Sequence, residues 1–276
     1  MTLNDSTIAI YIVLDDLLQS LSHKEPKQRQ VNDALVLTTS LIASWYFGGN
    51  YVSALGYMRA HHCPRMLSPS RFNRRLHHLA PVSELLFSLL GTVLKDYNPR
   101  KRYILDTFPL KVCHNIRISR CRLLQGEAFR GKNASKREYF YGYKIAVLTD
   151  ENGIPVELAF IPGSYSDVSA LKRMDFDLPA GSIVWQDSGF TDYEWEDHYL
   201  AQEKIAFMTQ RRKRSKRGRT WGQQLAIKEN RRRIETTFSE ITARFTKKIH
   251  AVTIKGFQLK VFLAVFAYTI FRFLNL

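Results

Sequence analysis

Apolar residues recur at helical spacing through most of the first hundred positions of the chain. N-cap residues precede the first apolar run, and Gly48-Gly49 ends the second. The pattern predicts helices over four stretches: Ile8–Leu21, Val31–Trp45, Tyr51 to just before Pro64, and Ser83–Tyr97. Residues 1–98 are therefore expected to form an all-helical region that ends at Asn98-Pro99.

A further helix in this region has a distinctive polar face. Ser68 and Pro69 are typical first residues of a helix, and an apolar stripe follows at helical spacing. The opposite face is basic, as in the recognition helix of a helix-turn-helix, although an ordinary solvated face has the same pattern. We take three of its residues as candidate DNA contacts: Arg71, Arg74 and Arg75.

After residue 99 the pattern changes to short apolar runs that are typical of strands. Tyr139–Asp150 and Pro155–Gly163 flank Glu151-Asn152-Gly153, which predicts a hairpin. A basic stretch from His114 to Lys136 is interpreted as a loop. Three further runs complete the predicted strands: Tyr103–Phe108, Ser182–Trp185 and Ile205–Thr209.

Helical segments alternate with the later strands, and a long helix from about Gln223 to Phe245 precedes an apolar C-terminal helix. This order predicts an α/β domain over residues 99–276: a mixed five-stranded sheet with covering helices. The domain would include a basic stretch at residues 209–233 and the apolar C-terminal helix.

Positive charge dominates the composition and concentrates in one place. The chain carries 41 Lys and Arg against 25 Asp and Glu, a formal charge of +16. Thr209–Lys248 alone holds 14 basic and three acidic residues. Such a footprint indicates a polyanionic partner, either nucleic acid or an anionic membrane, although a solvated basic face is the simpler alternative. Within it we take four residues as candidate phosphate contacts: Arg211, Arg212, Lys213 and Arg214.

Other features favour nucleic acid over a membrane. The N-terminus has no signal-peptide pattern, and three scattered cysteines indicate a reducing cytosol. The most apolar stretch, Val261–Phe271, is shorter than the ~20 residues of a membrane helix, so we expect a buried helix and no membrane partner.

Acidic residues stand at informative places in this basic chain. Asp106 interrupts the apolar first strand, Asp187 follows the fourth strand, and Glu235 lies on the long helix. Each has an ordinary explanation, such as an ion pair with a neighbouring arginine or a turn. Together, carboxylates on neighbouring strands and a facing helix can hold two divalent ions ~4 Å apart, the arrangement that cleaves phosphodiesters.

Several local sequences carry a resemblance to a known family. They are YILDTFPLKVC, QGEAFRG, SKREYFYGYK, DSGFTDYEWE and RRRIETTFSEI. With the strand order, they resemble the transposases of the 982 group of bacterial insertion sequences, which have the ribonuclease H-like fold and an Asp-Asp-Glu triad. The likeness extends from about residue 30 to the end of the chain.

The resemblance implies that Asp106, Asp187 and Glu235 bind two Mg²⁺ ions, with Mn²⁺ as a possible substitute, and catalyse cleavage and strand transfer of DNA. It implies a phosphate contact for Arg231; Asp167 would be an accessory acid or, alternatively, a helix N-cap. Expected partners are double-stranded DNA, both terminal repeats and target, and a second copy when DNA is bound. The expected location is the bacterial cytoplasm, at the nucleoid.

Two alternatives remain open at this point. A ribonuclease H-like nuclease that does not join strands would share the triad. A non-catalytic DNA-binding protein would retain the fold and use the N-terminal helices, although intact acids at all three positions count against it.

Overall fold

The computed structural model describes residues 1–133, 138–174, 176–245 and 249–275. The chain forms two compact units, each described by itself: Met1–Thr92 with Glu240–Leu276, and Val93–Ser239. The first is helical and the second contains the sheet, which confirms the predicted α/β class with a helical N-terminal region.

The first unit is built around a buried central helix. Its helices are α1 (Leu3–Ser20), α2 (Asp33–Tyr46), α3 (Tyr51–His61), α4 (Pro69–His78), most of α5 (Ala80–Asp96) and α9 (Ile254–Phe273). α2 packs against α1, α3, α4 and α9, and its small and aliphatic residues are buried almost all round. Trp45 near its end stacks on Phe271 of α9, with ring centroids 4.1 Å apart.

α9 differs from its predicted form in length and in its neighbours. The apolar stretch is part of a 20-residue helix, long and apolar enough to cross a membrane, but 78% of its most apolar window is buried inside the protein. Among the described residues, α4 and α5 meet the same criterion only when taken together across a 59° bend. α9 groups with the N-terminal helices, whereas the sequence-based division placed it with residues 99–276.

The second unit contains a six-stranded mixed sheet. Its strands are β1 (Arg102–Cys113), β2 (Arg130–Asn133), β3 (Glu138–Asp150), β4 (Pro155–Pro162), β5 (Ile183–Gln186) and β6 (Ala206–Thr209). β3 pairs antiparallel with β1, β2 and β4, and β5 is parallel to β1 and β6. The predicted hairpin is β3–β4, and β5 and β6 are reached by helical crossovers.

β2 lies within the stretch His114–Lys136 that was interpreted as a loop, and that interpretation was wrong for Arg130–Asn133; residues 134–136 lie outside the described residues. Its sequence, RGKN, has no alternation of apolar residues, so its strand geometry comes from pairing with the start of β3. Gly131 permits this pairing because a Cβ there would lie 2.3 Å from the Phe140 ring and 2.5 Å from the Gly163 carbonyl oxygen.

The long helix α8 (Trp221–Ala243) covers one face of the sheet. Its residues Ile227 and Ile234 are fully buried against Ile104 and Trp185 of the central strands. These positions are seven residues apart, two helical turns, so the residues between them on this face also point at the sheet.

A second contact fixes α8 to the β3–β4 hairpin. Arg233 Nε donates to the Asn152 carbonyl oxygen (2.6 Å), and Thr237 Oγ1 donates to that of Gly153 (2.8 Å). Gly153 has φ +77°, and a Cβ there would lie 2.4 Å from Thr237 Oγ1. The backbone of α8 is therefore anchored before Arg231 by Ile227, and after it by Arg233 and Ile234.

The described part of this unit also contains α6 (Asp167–Leu171), α7 (Tyr193–Gln202) and short 3-10 helices at Asn115–Arg120, Glu127–Phe129 and Ser188–Phe190.

Candidate active site

The register of two parallel strands brings Asp106 and Asp187 together. Leu105 of β1 is level with Gln186, the last residue of β5, so the next residue on each chain segment is one of the two aspartates. β1 continues beyond this level to Cys113, paired with β3 on its other side. The two carboxylates therefore lie side by side where β5 ends.

Arg231 bridges the two carboxylates. Its Nη2 donates to Asp106 Oδ2 at 2.8 Å, and its Nη1 donates to Asp187 Oδ1 at 3.3 Å. Nη1 also lies 3.3 Å from Oε1 of Gln210, the residue after β6. Asp106 receives a further bond from the Thr107 backbone N–H (2.8 Å). The guanidinium thus occupies a position where one cation contacts both aspartates.

The two aspartates differ in their exposure to water. The Asp106 side chain is 18% exposed and that of Asp187 is 45% exposed. Burial raises the pKa of Asp106 to about 6, although the Arg231 charge and the Thr107 N–H both lower it, and the Asp187 charge adds to the increase. Asp106 is therefore a carboxylate whose charge is costly in the folded protein and is stabilised by a neighbouring cation.

Glu235 does not join the two aspartates. It lies one helical turn after Arg231 on α8, and its side chain is exposed. Within the described part of the chain, oxygens of Asp106, Asp187 and Glu235 do not all lie within 4.8 Å of one another. The structure brings together the two predicted acids of the strands and leaves the helical one apart.

Asp167 lies beside the segments that carry both aspartates. Its Oδ1 accepts from Thr107 Oγ1 (3.2 Å) and from Lys144 Nζ (3.0 Å). A Cβ on Gly189 would be 2.6 Å from Asp167 Oδ2. The N-cap alternative was wrong, because Ser166 caps α6 instead. Lys144 was missed by the sequence reasoning; the signal was a lysine inside the apolar run of β3.

Arg211 has a structural role that the basic run did not indicate. Its guanidinium is 3% exposed and pairs with the buried Glu196, with Nη1 donating to Oε1 at 2.9 Å. Thr209 Oγ1 donates to the same carboxylate and accepts from Gln186 Nε2, both at 2.7 Å. These bonds link the ends of β5 and β6 to α7, so Arg211 is not an available DNA contact. Its three neighbours have exposed side chains: Arg212, Lys213 and Arg214.

In the helical unit, Arg75 is also engaged within the protein. It donates to Asp33 Oδ1 (2.7 Å), to Glu25 Oε2 (3.0 Å) and to the Val31 carbonyl oxygen. The Arg71 and Arg74 side chains are exposed on the same helix. Of the three arginines predicted on α4, two point to solvent and the third ties α4 to the segment before α2.

Comparisons with known proteins identify the second unit. Residues 98–251 match the family model described as a transposase DDE domain, and this match covers more than half of the chain. The comparisons with curated proteins and with solved structures found no match. Since Asp106 and Asp187 lie within the matched residues, the family assignment and the site geometry concern the same part of the sequence. The chain belongs to the insertion-sequence transposases that carry a DDE domain.

Proposed function

We propose that this transposase, of the 982 group, hydrolyses phosphodiesters at the ends of its element and joins the ends to target DNA, using divalent metal ions. The observation that carries the proposal is the pair Asp106 and Asp187, level on adjacent parallel strands and sharing one cation. Two carboxylates at the end of a strand in a basic protein are suited to bind a metal beside a phosphate.

The side chains at this site are chemically suited to bind a divalent metal ion. Asp106, Asp187 and the Gln210 amide offer oxygen ligands, which Mg²⁺ and Mn²⁺ prefer. The Arg231 guanidinium, in contact with all three, marks a place where positive charge is already favoured. Bound divalent ions would activate the attacking water or 3′-hydroxyl and stabilise the leaving oxygen. Glu235 is the proposed third carboxylate, supplied from α8.

In this proposal the Arg231 side chain moves from the two carboxylates to a DNA phosphate. For a metal to use Asp106 Oδ2, the guanidinium has to leave that oxygen. Because the α8 backbone is anchored on both sides, this movement is one of the side chain. A DNA phosphate beside the site offers the guanidinium an alternative bidentate partner. Arg231 would therefore hold the scissile strand after giving up the carboxylates.

The Asp167 carboxylate supports the same site from the other side of β1. Its bonds to Thr107 and Lys144 connect α6 to β1 and β3. Lys144, with its ammonium 3.0 Å from Asp167, compensates the negative charge of this acid. We propose that Asp167 positions the strand segment around Asp106 rather than reacting with DNA.

The DNA-binding surfaces are assigned from exposure and charge. Arg212, Lys213 and Arg214 would follow phosphates without reading sequence, because exposed cations neutralise the backbone of any duplex. The helical unit, with Arg71 and Arg74, would hold the terminal repeats. Joining two ends implies at least two copies on the DNA, and action on DNA implies a soluble, cytoplasmic location at the nucleoid.

The proposal is tested with Asp187→Asn in the full-length protein. We expect loss of metal-dependent cleavage of a terminal-repeat duplex with retained binding of that duplex, because only the carboxylate is changed. Asp197→Asn is the control, since Asp197 is an exposed carboxylate on α7 that pairs with Arg217. Full cleavage by the Asp187 variant would overturn the assignment.

A second assay separates transposition from simple hydrolysis. A pre-cleaved duplex end with a free 3′-hydroxyl is incubated with a circular target and metal. Covalent joining to the circle supports the transposase chemistry, and hydrolysis without joining supports the nuclease alternative.

A further inference from the structure

The helical unit contains a cavity of about 420 Å³ whose walls are mostly basic. One wall is α4 and the other is the segment that connects α1 to α2. Its charged lining consists of Lys24, Arg29, Asp33, Arg71, Arg74 and Arg75, with histidines at its edge. All residues that line the cavity belong to this unit, whereas Asp106 and Asp187 belong to the other unit.

The acids of this region are already neutralised. Asp33 is 2% exposed and accepts from Arg75 Nε (2.7 Å) and Arg29 Nη1 (3.0 Å). His23 Nε2 lies 2.9 Å from the same carboxylate. Glu25 accepts from Arg75 and from the Asp33 backbone N–H. Two arginines therefore neutralise both carboxylates, and the four side chains form a network with no net charge.

Among the described residues, no carboxylate forms an ion pair with Lys24, Arg71 or Arg74, the exposed cations that line the cavity. Arg71 and Arg74 are three residues apart on α4, so they lie on one face, with Arg75 on the next position of that face. Their side chains and that of Lys24 on the opposite wall are exposed. α4 itself contains no acidic residue. Within the part of the chain that the structure describes, the cavity thus presents positive charge without a paired acid from both walls.

This arrangement selects an anion over a cation. The positions of His23, Glu25 and Asp33 are close enough to hold a metal ion. However, Arg29 and Arg75 already contact these carboxylates, and an added cation would be repelled by them. The guanidinium groups that line the cavity match a phosphate in charge and in donor geometry, because they bind phosphate oxygens through paired N–H donors.

We propose that this cavity binds one phosphate group of the DNA backbone. The inference rests on the proposed function in one respect, that DNA is the partner. Arg71, Arg74 and Lys24 contact the phosphate, and the Arg75–Asp33 network sets the distance between the two walls. The cavity positions α4 on the duplex and carries no sequence information, because phosphate contacts fix register without reading bases.

The test uses the full-length protein and two matched pairs of variants. Lys24→Gln and Arg71→Gln each remove one charge from the cavity. Lys27→Gln and Arg65→Gln remove the same charges from exposed positions of the same unit that do not line it. Binding of a terminal-repeat duplex and of an unrelated duplex is measured by fluorescence anisotropy across a range of salt concentrations.

We expect each cavity variant to lower the affinity for both duplexes about tenfold and to reduce the salt slope by about one, as for loss of one phosphate contact. The Lys24→Gln/Arg71→Gln double variant loses less than the sum of the single effects, since both residues contact one phosphate. The control variants change affinity by less than about threefold, because their charges are exposed to solvent and do not line the cavity. Equal effects of cavity and control variants overturn the proposal.

A loss restricted to the terminal-repeat duplex also overturns it, because α4 would then read bases. A separate arm tests free phosphate: inorganic pyrophosphate is added and thermal unfolding is followed. Stabilisation that depends on Arg71, without any effect of Arg71→Gln on DNA affinity, assigns the cavity to a small phosphate compound and overturns the DNA source. If the cavity variants behave as controls while Asp187→Asn still abolishes cleavage, only the cavity proposal fails.

Discussion

Replacing Asp106 by Asn should stabilise the folded protein relative to the wild type progressively as pH rises from 4 to 7. Burial raises the pKa of Asp106 from 3.8 to about 6 even though Arg231 opposes the increase. The folded state therefore binds a proton more tightly at this position than the unfolded state does. For such a group, the free energy of unfolding falls as pH rises through the interval between the two pKa values.

The size of the effect follows from the two pKa values. A rise from 3.8 to about 6 corresponds to about 3 kcal/mol at pH 7, because each pKa unit is about 1.4 kcal/mol. Asp106→Asn cannot ionise, so the variant escapes this cost. The free energy of unfolding of the variant, minus that of the wild type, should rise by about 2.4 kcal/mol between pH 4 and pH 7, because the carboxyl group of the unfolded chain is already partly ionised at pH 4. A pH-independent offset is expected too, because an amide and a protonated carboxyl group differ in the hydrogen bonds that they make at this position.

The assay is urea unfolding of both proteins at several pH values from 4 to 7.5, in the presence of a chelator. The result depends only on how the difference in unfolding free energy between variant and wild type changes with pH. A constant offset between the two proteins therefore does not affect it. Asp197→Asn serves as the control with opposite sign. Hydrogen bonds from Arg217 lower the Asp197 pKa, so removing that carboxylate costs stability as pH rises. Parallel curves for wild type and Asp106→Asn would refute the reasoning.

Three further outcomes are expected. Arg231→Gln should raise the affinity for Mn²⁺ in the absence of DNA, measured by electron paramagnetic resonance, since the competing cation is gone; an unchanged affinity would show that the guanidinium does not compete. Changing Arg212–Arg214 to Gln should weaken binding to all duplexes alike and flatten the salt dependence, and a loss confined to one sequence would contradict this. Arg211→Met should destabilise the protein by about 3 kcal/mol in urea unfolding, because Glu196 is left buried without its ion-pair partner. A variant as stable as wild type would show that this pair is dispensable.

The strands, and the two aspartates in or after them, could be inferred from the sequence because each has a local pattern of apolar and polar residues. Asp106 interrupts an apolar strand, and Asp187 follows another, so both were identified without knowledge of the pairing. Their proximity depends on the register between β1 and β5. A shift of one residue would have placed them on opposite faces, and no local pattern determines that register.

The acidic partners of the arginines could not be predicted from the sequence. A run of basic residues does not reveal which member has a buried acid as its partner. Arg211 meets Glu196, and Arg75 meets Asp33 from 42 residues away, through tertiary packing alone. Arg231 was expected to contact phosphate, and its position between two carboxylates follows from the direction of α8 across the sheet.

α9 could be predicted from the sequence and β2 could not, and the difference has a physical reason. Helical periodicity identifies an apolar helix but not the surface that buries it, so α9 could be predicted as a buried helix while its grouping with the N-terminal helices could not. The RGKN strand gains its geometry from β3 and has no apolar pattern of its own.

The part of β1 beyond Leu105 runs past the end of β5, and the structure describes no strand paired with that side. An open strand edge of this kind invites strands from other molecules. Pro109 lies on this segment, exposed and without an N–H to offer, and the exposed Lys111 adds a charge. Both features discourage a foreign strand from docking. The protein thereby leaves a stretch of β1 next to Asp106 without a strand partner on one side, while the sequence of that stretch opposes aggregation through the same edge.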